Sequence, residues 1–167
     1  CLSLSLCLST CLSISLPLSL FVNTRDSDEA SHVSGLACRA SRVGTCSWAR
    51  FDPIFYNRER GRDFRPQMFR RSALLLTHEI CHLVGLGHCA TPDCIMLSTS
   101  TLREADQRAL RLCVPCLEQL QTACGFDVSR RGLELGMFFD AIGFRAEAAM
   151  LRKEMWALDE DASDSAG

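Results

Sequence analysis

The feature that most limits what this chain can become is the run HEICHLVGLGH, residues 78–88. His78 and His82 stand four apart, so a helix puts both imidazoles on one face, a turn apart, within reach of one cation. Glu79 follows His78 directly, and its carboxylate then projects beside that cation rather than onto it, where a general base belongs. Gly85 stops the helix and lets the chain turn back, which brings in His88 as a third nitrogen. Three neutral imidazoles leave a fourth position open, as in a catalytic zinc site rather than a closed structural one. Of the 4 histidines in the chain only His32 lies outside the run. Core histidines falling in step by chance is the weaker explanation, because polar side chains are seldom fully buried without partners. The spacing predicts peptide-bond hydrolysis by a metal-activated water, with Glu79 carrying the proton to the leaving amine.

Cysteine usage carries the second constraint. Eleven cysteines in 167 residues mean either a disulfide scaffold outside the cell or thiolate metal sites inside it. Cys89, Cys94, Cys113 and Cys116 follow the form C-x4-C-x18-C-x2-C, which predicts a four-thiolate zinc site; two disulfides or buried free thiols are the alternatives. Structural zinc would add folding free energy to a small domain with a long loop behind its active helix. Three imidazoles also accept iron, cobalt or nickel, but the thiolates favour zinc. Cys38, Cys46, Cys81 and Cys124 show no pairing pattern and are expected to pack as small apolar side chains. Met96, alone, would be core filler.

Residues 1–24 carry an alternating Leu/Ser run that includes Cys1, Cys7 and Cys11. They are expected to be translated simple repeat rather than a folded domain, a signal peptide or a membrane span. Residues 25–158 are expected to form one catalytic domain and 159–167 an acidic disordered tail. Within the domain, 36–50 predict one or two short strands with a glycine turn, and FDPIFY at 51–56 a packed loop. The arginines of 57–71 predict a solvated loop leading into a helix from about Met68 to Gly85. Without interleaved aromatics they do not predict a nucleic-acid patch. Thr101 and Glu104 have capping-box spacing and predict a helix to about Leu112; Pro115 suits the first turn of another, ending near Gly125. Residues 127–158 predict one or two amphipathic helices with a break near Gly132, Gly136 or Gly143. Tyr56 is the single tyrosine; it could assist a transition state, but no spacing puts it there.

The pattern H-E-x-x-H-x-x-G-x-x-H-C-x4-C-x-M, read here as HEICHLVGLGHCATPDCIM and followed by CVPC, resembles the archaemetzincins, a metzincin-clan family of zinc metallopeptidases. The resemblance runs from about Gly35, with ARFDPIFY, to about Gly143. It implies an α+β, metzincin-like zincin fold: a small twisted sheet over an active-site helix, then a helical C-terminal part. It implies two zinc ions, a catalytic one at His78, His82 and His88 and a structural one at Cys89, Cys94, Cys113 and Cys116. Glu79 would be the general base and Met96 the Met-turn residue. Repeat-like sequence stands where the family has further strands and a helix. An N-terminally incomplete member with a shortened sheet is therefore expected. The substrate-pairing edge strand is expected within 42–50.

The expected activity is that of a zinc-dependent peptidase. The rival from another class is a zinc-stabilised binding module, inactive for want of its N-terminal part; a secreted disulfide-rich protein would need its cysteines oxidised. The expected partner is a peptide or protein substrate, with no nucleic acid and no membrane. Net charge is −2 and charged residues are 23% of the chain, so bulk charge favours no polyanion. A monomer in the cytoplasm is expected.

Overall fold

The computed structural model describes residues 13–15 and 34–164. It divides into two compact units, one within Cys11–Ala123 and the other, over the described residues, from Cys124 onward. The Leu/Ser repeat apart from Ser13–Ser15, and His32, lie outside the described residues.

The first unit is built on a three-stranded sheet: β1 (Ser13–Ser15), β2 (Gly35–Cys38) and β3 (Val43–Cys46). The order is β1-β3-β2, so β3 is central. β1 runs parallel to β3 with Ser13 opposite Val43, and β2 runs antiparallel with Gly35 opposite Cys46. The edge strand beside the cleft described below is therefore β2, not the expected segment 42–50, because β3 is paired on both sides. The hairpin turn also differs from expectation. It falls at Arg39–Arg42, where Arg42 takes a left-handed φ of 56° and its N–H donates to Arg39 O at 3.2 Å, while Gly44 lies inside the strand. The aromatic patch is a packed loop as its proline suggests. It forms two short 3-10 turns, Ala49–Phe51 and Pro53–Tyr56, and buries Phe51.

Helix α1 (Phe64–Leu83) packs across β2 and β3 and buries Leu74, His78, Glu79, Cys81 and Leu83. It begins before the expected Met68, because Pro66 sits in the first turn, where a missing N–H costs nothing. Arg65 thus joins Arg70 and Arg71 in the helix. Arg71 clamps Asp106 through Nε (2.7 Å) and Nη2 (2.6 Å), and Arg70 Nη2 donates to Arg108 O at 2.5 Å. The helix ends in two nested bonds, Gly85 N–H to His82 O (3.0 Å) and Leu86 N–H to Cys81 O (3.0 Å), with Gly85 at φ 108°. That is a Schellman ending, and it needs the freedom of glycine.

Helix α2 (Leu102–Gln107) opens with the capping box expected from Thr101 and Glu104, both of whose bonds are present. It stops well short of Leu112, because Arg108 leaves helical geometry (ψ 137°) and turns inward. Helix α3 (Val114–Cys124) carries Pro115 in its first turn and buries Cys116 and Leu120.

The second unit is a helical hairpin of α4 (Val128–Ala141) and α5 (Arg145–Asp164), broken at Gly143. Asp127 caps α4 by accepting from Arg130 N–H at 2.6 Å. Phe139, Ala148 and Leu151 are buried. Helix α5 runs on into the segment that composition reads as a disordered tail; a helix nucleated upstream extends at low cost.

Candidate active site

The end of α1 and the chain after it converge on one point. His78 and His82 project from adjacent turns of α1, and the Schellman ending returns the chain so that His88 faces them. Their ring centroids lie 4.5, 4.8 and 5.3 Å apart. His78 Nδ1 is 2.8 Å from Ile95 O, and His82 Nδ1 is 2.8 Å from Leu86 O. A carbonyl oxygen can only accept, so both Nδ1 atoms carry hydrogen and both Nε2 atoms present lone pairs. Those two Nε2 atoms are 3.0 Å apart. Two acceptor nitrogens so placed repel each other unless a cation lies against both. Nitrogens on a tetrahedral zinc ion at ~2.0–2.1 Å stand roughly 3.3 Å apart, so the donor set fits such an ion closely. Burial pushes His78 down to about 4, with the Ile95 hydrogen bond partly opposing; the ring therefore stays neutral, the form a metal needs.

Glu79, one residue along α1, is buried against the first residue of β2. A Cβ on Gly35 would overlap the Glu79 carboxylate, so only glycine at position 35 lets that side chain lie there. Burial raises the Glu79 carboxyl above its ordinary range, and nearby His82 pulls it partly back. The carboxylate is in this way made a better proton acceptor at the cleft.

The histidines and Glu79 open into a cleft of about 560 Å3. It is lined by β2, through Gly35, Leu36 and Ala37, by the loop 98–101 and Leu102 of the following helix, and by the apolar Phe51, Leu74 and Leu75. Tyr56 is not among the residues that line it.

The thiolate cluster lies just beyond. Sulfurs of Cys89, Cys94, Cys113 and Cys116 all fall within 4.8 Å of one another, and Cys89 Sγ is 3.7 Å from Cys113 Sγ. A disulfide would require ~2.05 Å, whereas sulfurs on a tetrahedral zinc at ~2.3 Å stand about 3.8 Å apart. The backbone N–H of Thr91 donates to Cys89 Sγ (3.3 Å), and that of Cys113 donates to Cys94 Sγ (3.4 Å). Hydrogen bonds from Thr91 hold Cys89 at about 7, while burial raises Cys94 and Cys116. Such a set ionises fully only around a cation.

Met96 is fully buried, its carbonyl accepting from Cys89 N–H at 2.9 Å. Cys46 and Cys81 are buried as small side chains, but Cys38 is exposed, contrary to expectation, because it ends the edge strand.

The sequence left three partners of the site unmarked. Gly35 and the carbonyls of Ile95 and Leu86 act through contacts between distant segments. The sharp turn at Gly85 hinted only at the last. Arg108, buried beneath the loop that carries Met96, had no motif to flag it.

A family model described as Peptidase family M54 matches residues 28–122. Archaemetzincin-2 of Rattus norvegicus is 33% identical over 135 residues, covering 68% of this chain and 38% of its own length. Archaemetzincin of Pyrococcus horikoshii is 30% identical over 89 residues, covering 53% and 46%. Among solved structures, a zinc-dependent peptidase from Methanocorpusculum labreanum is 36% identical, with 53% of this chain and 44% of that one covered and a TM-score of 0.48. The chain spans less than half the length of each of these relatives.

Proposed function

The chain belongs to peptidase family M54, and from that membership we propose that it is a zinc metallopeptidase with a metzincin-like fold, two zinc ions and Glu79 as general base. The observation that carries the proposal is the pair of acceptor nitrogens, His78 Nε2 and His82 Nε2, 3.0 Å apart with both Nδ1 hydrogens committed to carbonyls. With His88 they are the ligands of the catalytic ion. Cys89, Cys94, Cys113 and Cys116 are the ligands of a structural ion, and buried Met96 is the Met-turn residue.

A bound zinc ion supplies Lewis acidity, polarising a scissile carbonyl and acidifying water to a pKa near ~7. The chain's own groups do the rest. An extended peptide lies along the free edge of β2, whose backbone amides and carbonyls pair with it, as sheet edges do. Glu79 takes the proton released as water adds to the carbonyl carbon. It then delivers that proton to the amide nitrogen as the C–N bond breaks, so that a carboxylate and an amine leave. Burial and the contact with Gly35 hold Glu79 in line for both transfers. Sulfurs spaced for a metal rather than bonded in pairs support a reducing, cytoplasmic setting.

The test is a digest of quenched fluorescent peptides by the parent and by Glu79→Gln, with metal content measured for both. The expected result is zinc in both proteins, turnover in the parent and at least ~100-fold less in the variant. A variant that keeps its zinc and cleaves as fast as the parent sinks the role of Glu79. A fully loaded parent that cleaves nothing sinks the peptidase assignment.

A further inference from the structure

Among the described residues three polar or charged residues are buried: Arg108, His78 and Glu79. The position of Arg108 explains its burial. Nη1 donates to Ile95 O at 2.9 Å and also to Leu97 O. Ile95 O is the same atom that accepts from His78 Nδ1. One carbonyl thus serves a metal-ligating histidine and a buried guanidinium together. The segment it belongs to, Cys94–Leu97, begins with a sulfur of the thiolate cluster and includes buried Met96. Its other ends are tied too: Ile95 N–H donates to Arg111 O at 2.7 Å, and Arg108 O accepts from Arg70 Nη2.

The charges follow the same line. A divalent ion with four thiolates carries a net charge of two minus in a partly buried place, and a cation beside it offsets that. Burial lowers the guanidinium of Arg108, and nearby Cys94 acts in the opposite direction. The guanidinium is held by two carbonyls of a segment whose first residue, Cys94, belongs to the sulfur cluster, so fixing Cys94 on an ion fixes the carbonyls that hold Arg108.

We propose that Arg108 is a positioning residue that couples the two metal clusters: loading the thiolate cluster holds the guanidinium under the Cys94–Leu97 segment, and the guanidinium holds Ile95 O against His78. The proposal rests on the two-zinc reading above. Its consequence is that the histidine cluster binds metal more tightly when the thiolate cluster is full, and the reverse by the same factor, because coupling free energies are reciprocal. Cysteine loss or oxidation would then weaken the catalytic ion without touching any of its ligands.

Cobalt(II) is the probe, added to the full chain after chelation. Cobalt on thiolates gives an intense sulfur-to-metal charge-transfer band that cobalt on imidazoles lacks, so the two clusters titrate separately. In Arg108→Met the histidine cluster is expected to lose about 10–100-fold in affinity, the scale of an outer-sphere partner. Arg108→Lys keeps the charge and one donor and should recover part of the loss. In the parent, loading one cluster should shift the midpoint of the other; in Arg108→Met that shift should vanish, which a residue that only fills space would not cause. Affinities within about twofold of the parent in both variants overturn the proposal. Should Arg108→Met not fold, Arg108→Lys decides alone: parental affinity and an unchanged midpoint shift overturn it. A parent that takes up cobalt at one cluster or none overturns the two-zinc reading itself. Two loaded clusters with no effect of Arg108 overturn only the coupling.

Discussion

Glu79 and Gly35 compete for one volume, and the absence of a side chain at position 35 decides where the carboxylate sits. Gly35→Val is therefore expected to swing Glu79 out of the cleft. Turnover should fall by an amount close to that of Glu79→Gln, with zinc content intact; metal analysis beside peptide kinetics checks both halves. His78 yields a pH prediction for the chelated protein. Its folded value, about 4, lies below the ordinary 6.5. As pH falls from about 6.5 toward 4 the unfolded chain takes up the proton first, so stability drops across that window and levels off below it. Thermal melts of the chelated protein at stepped pH should show the slope, and His78→Asn should lessen it. The convergence of His78, His82 and His88 was legible in the sequence because its spacing is local to one helix and one turn. The partners of those side chains were not, because Ile95 O, Leu86 O and Gly35 reach the site through tertiary folding.

Helix α1 bears His78, His82 and Glu79, and its ending places His88, so the site depends on where the helix stops. Gly85 was readable as that stop; the two nested hydrogen bonds that also aim Leu86 O at His82 were not. Helix α2 shows the other side of local reading. The capping box was visible from Thr101 and Glu104, but the helix ends at Gln107 because Arg108 is drawn inward to the Ile95 and Leu97 carbonyls. Thr101→Ala removes the bond to Glu104 N–H (3.2 Å) and should cost about 1 kcal/mol of stability, read as a shift in denaturant midpoint at constant slope. The arginines of α1 misled for a related reason. A cluster of positive charge resembles a solvated face until Asp106 and the carbonyls of Asp106 and Arg108 arrive from a later segment to receive it.

At the scale of the molecule, the first unit is a small sheet, one long helix and a loop region tied by four sulfurs. Little regular structure lies between His88 and α3, and an ion on Cys89, Cys94, Cys113 and Cys116 would organise that region. Cys116→Ser, or a chelator strong enough to strip thiolate-bound zinc, is expected to lower the melting temperature and raise protease sensitivity between residues 89 and 113, since metal-binding free energy at such a site is folding free energy. Zinc added back to the parent should restore both, and zinc added to the variant should not. A melting temperature unmoved by chelation would mean that the loop region is held by packing alone.

The residue types and intervals in 78–116 by themselves determined which histidines and cysteines would converge and which carboxylate would stand beside the histidines, because a helix of 3.6 residues per turn and a glycine stop convert intervals directly into directions. Which strand would form the free edge, where Glu79 would be confined and that Arg108 would be buried against the Ile95 and Leu97 carbonyls were decided only by the tertiary structure. Each of these depends on segments far apart in the chain entering one another's space, and no local periodicity records that.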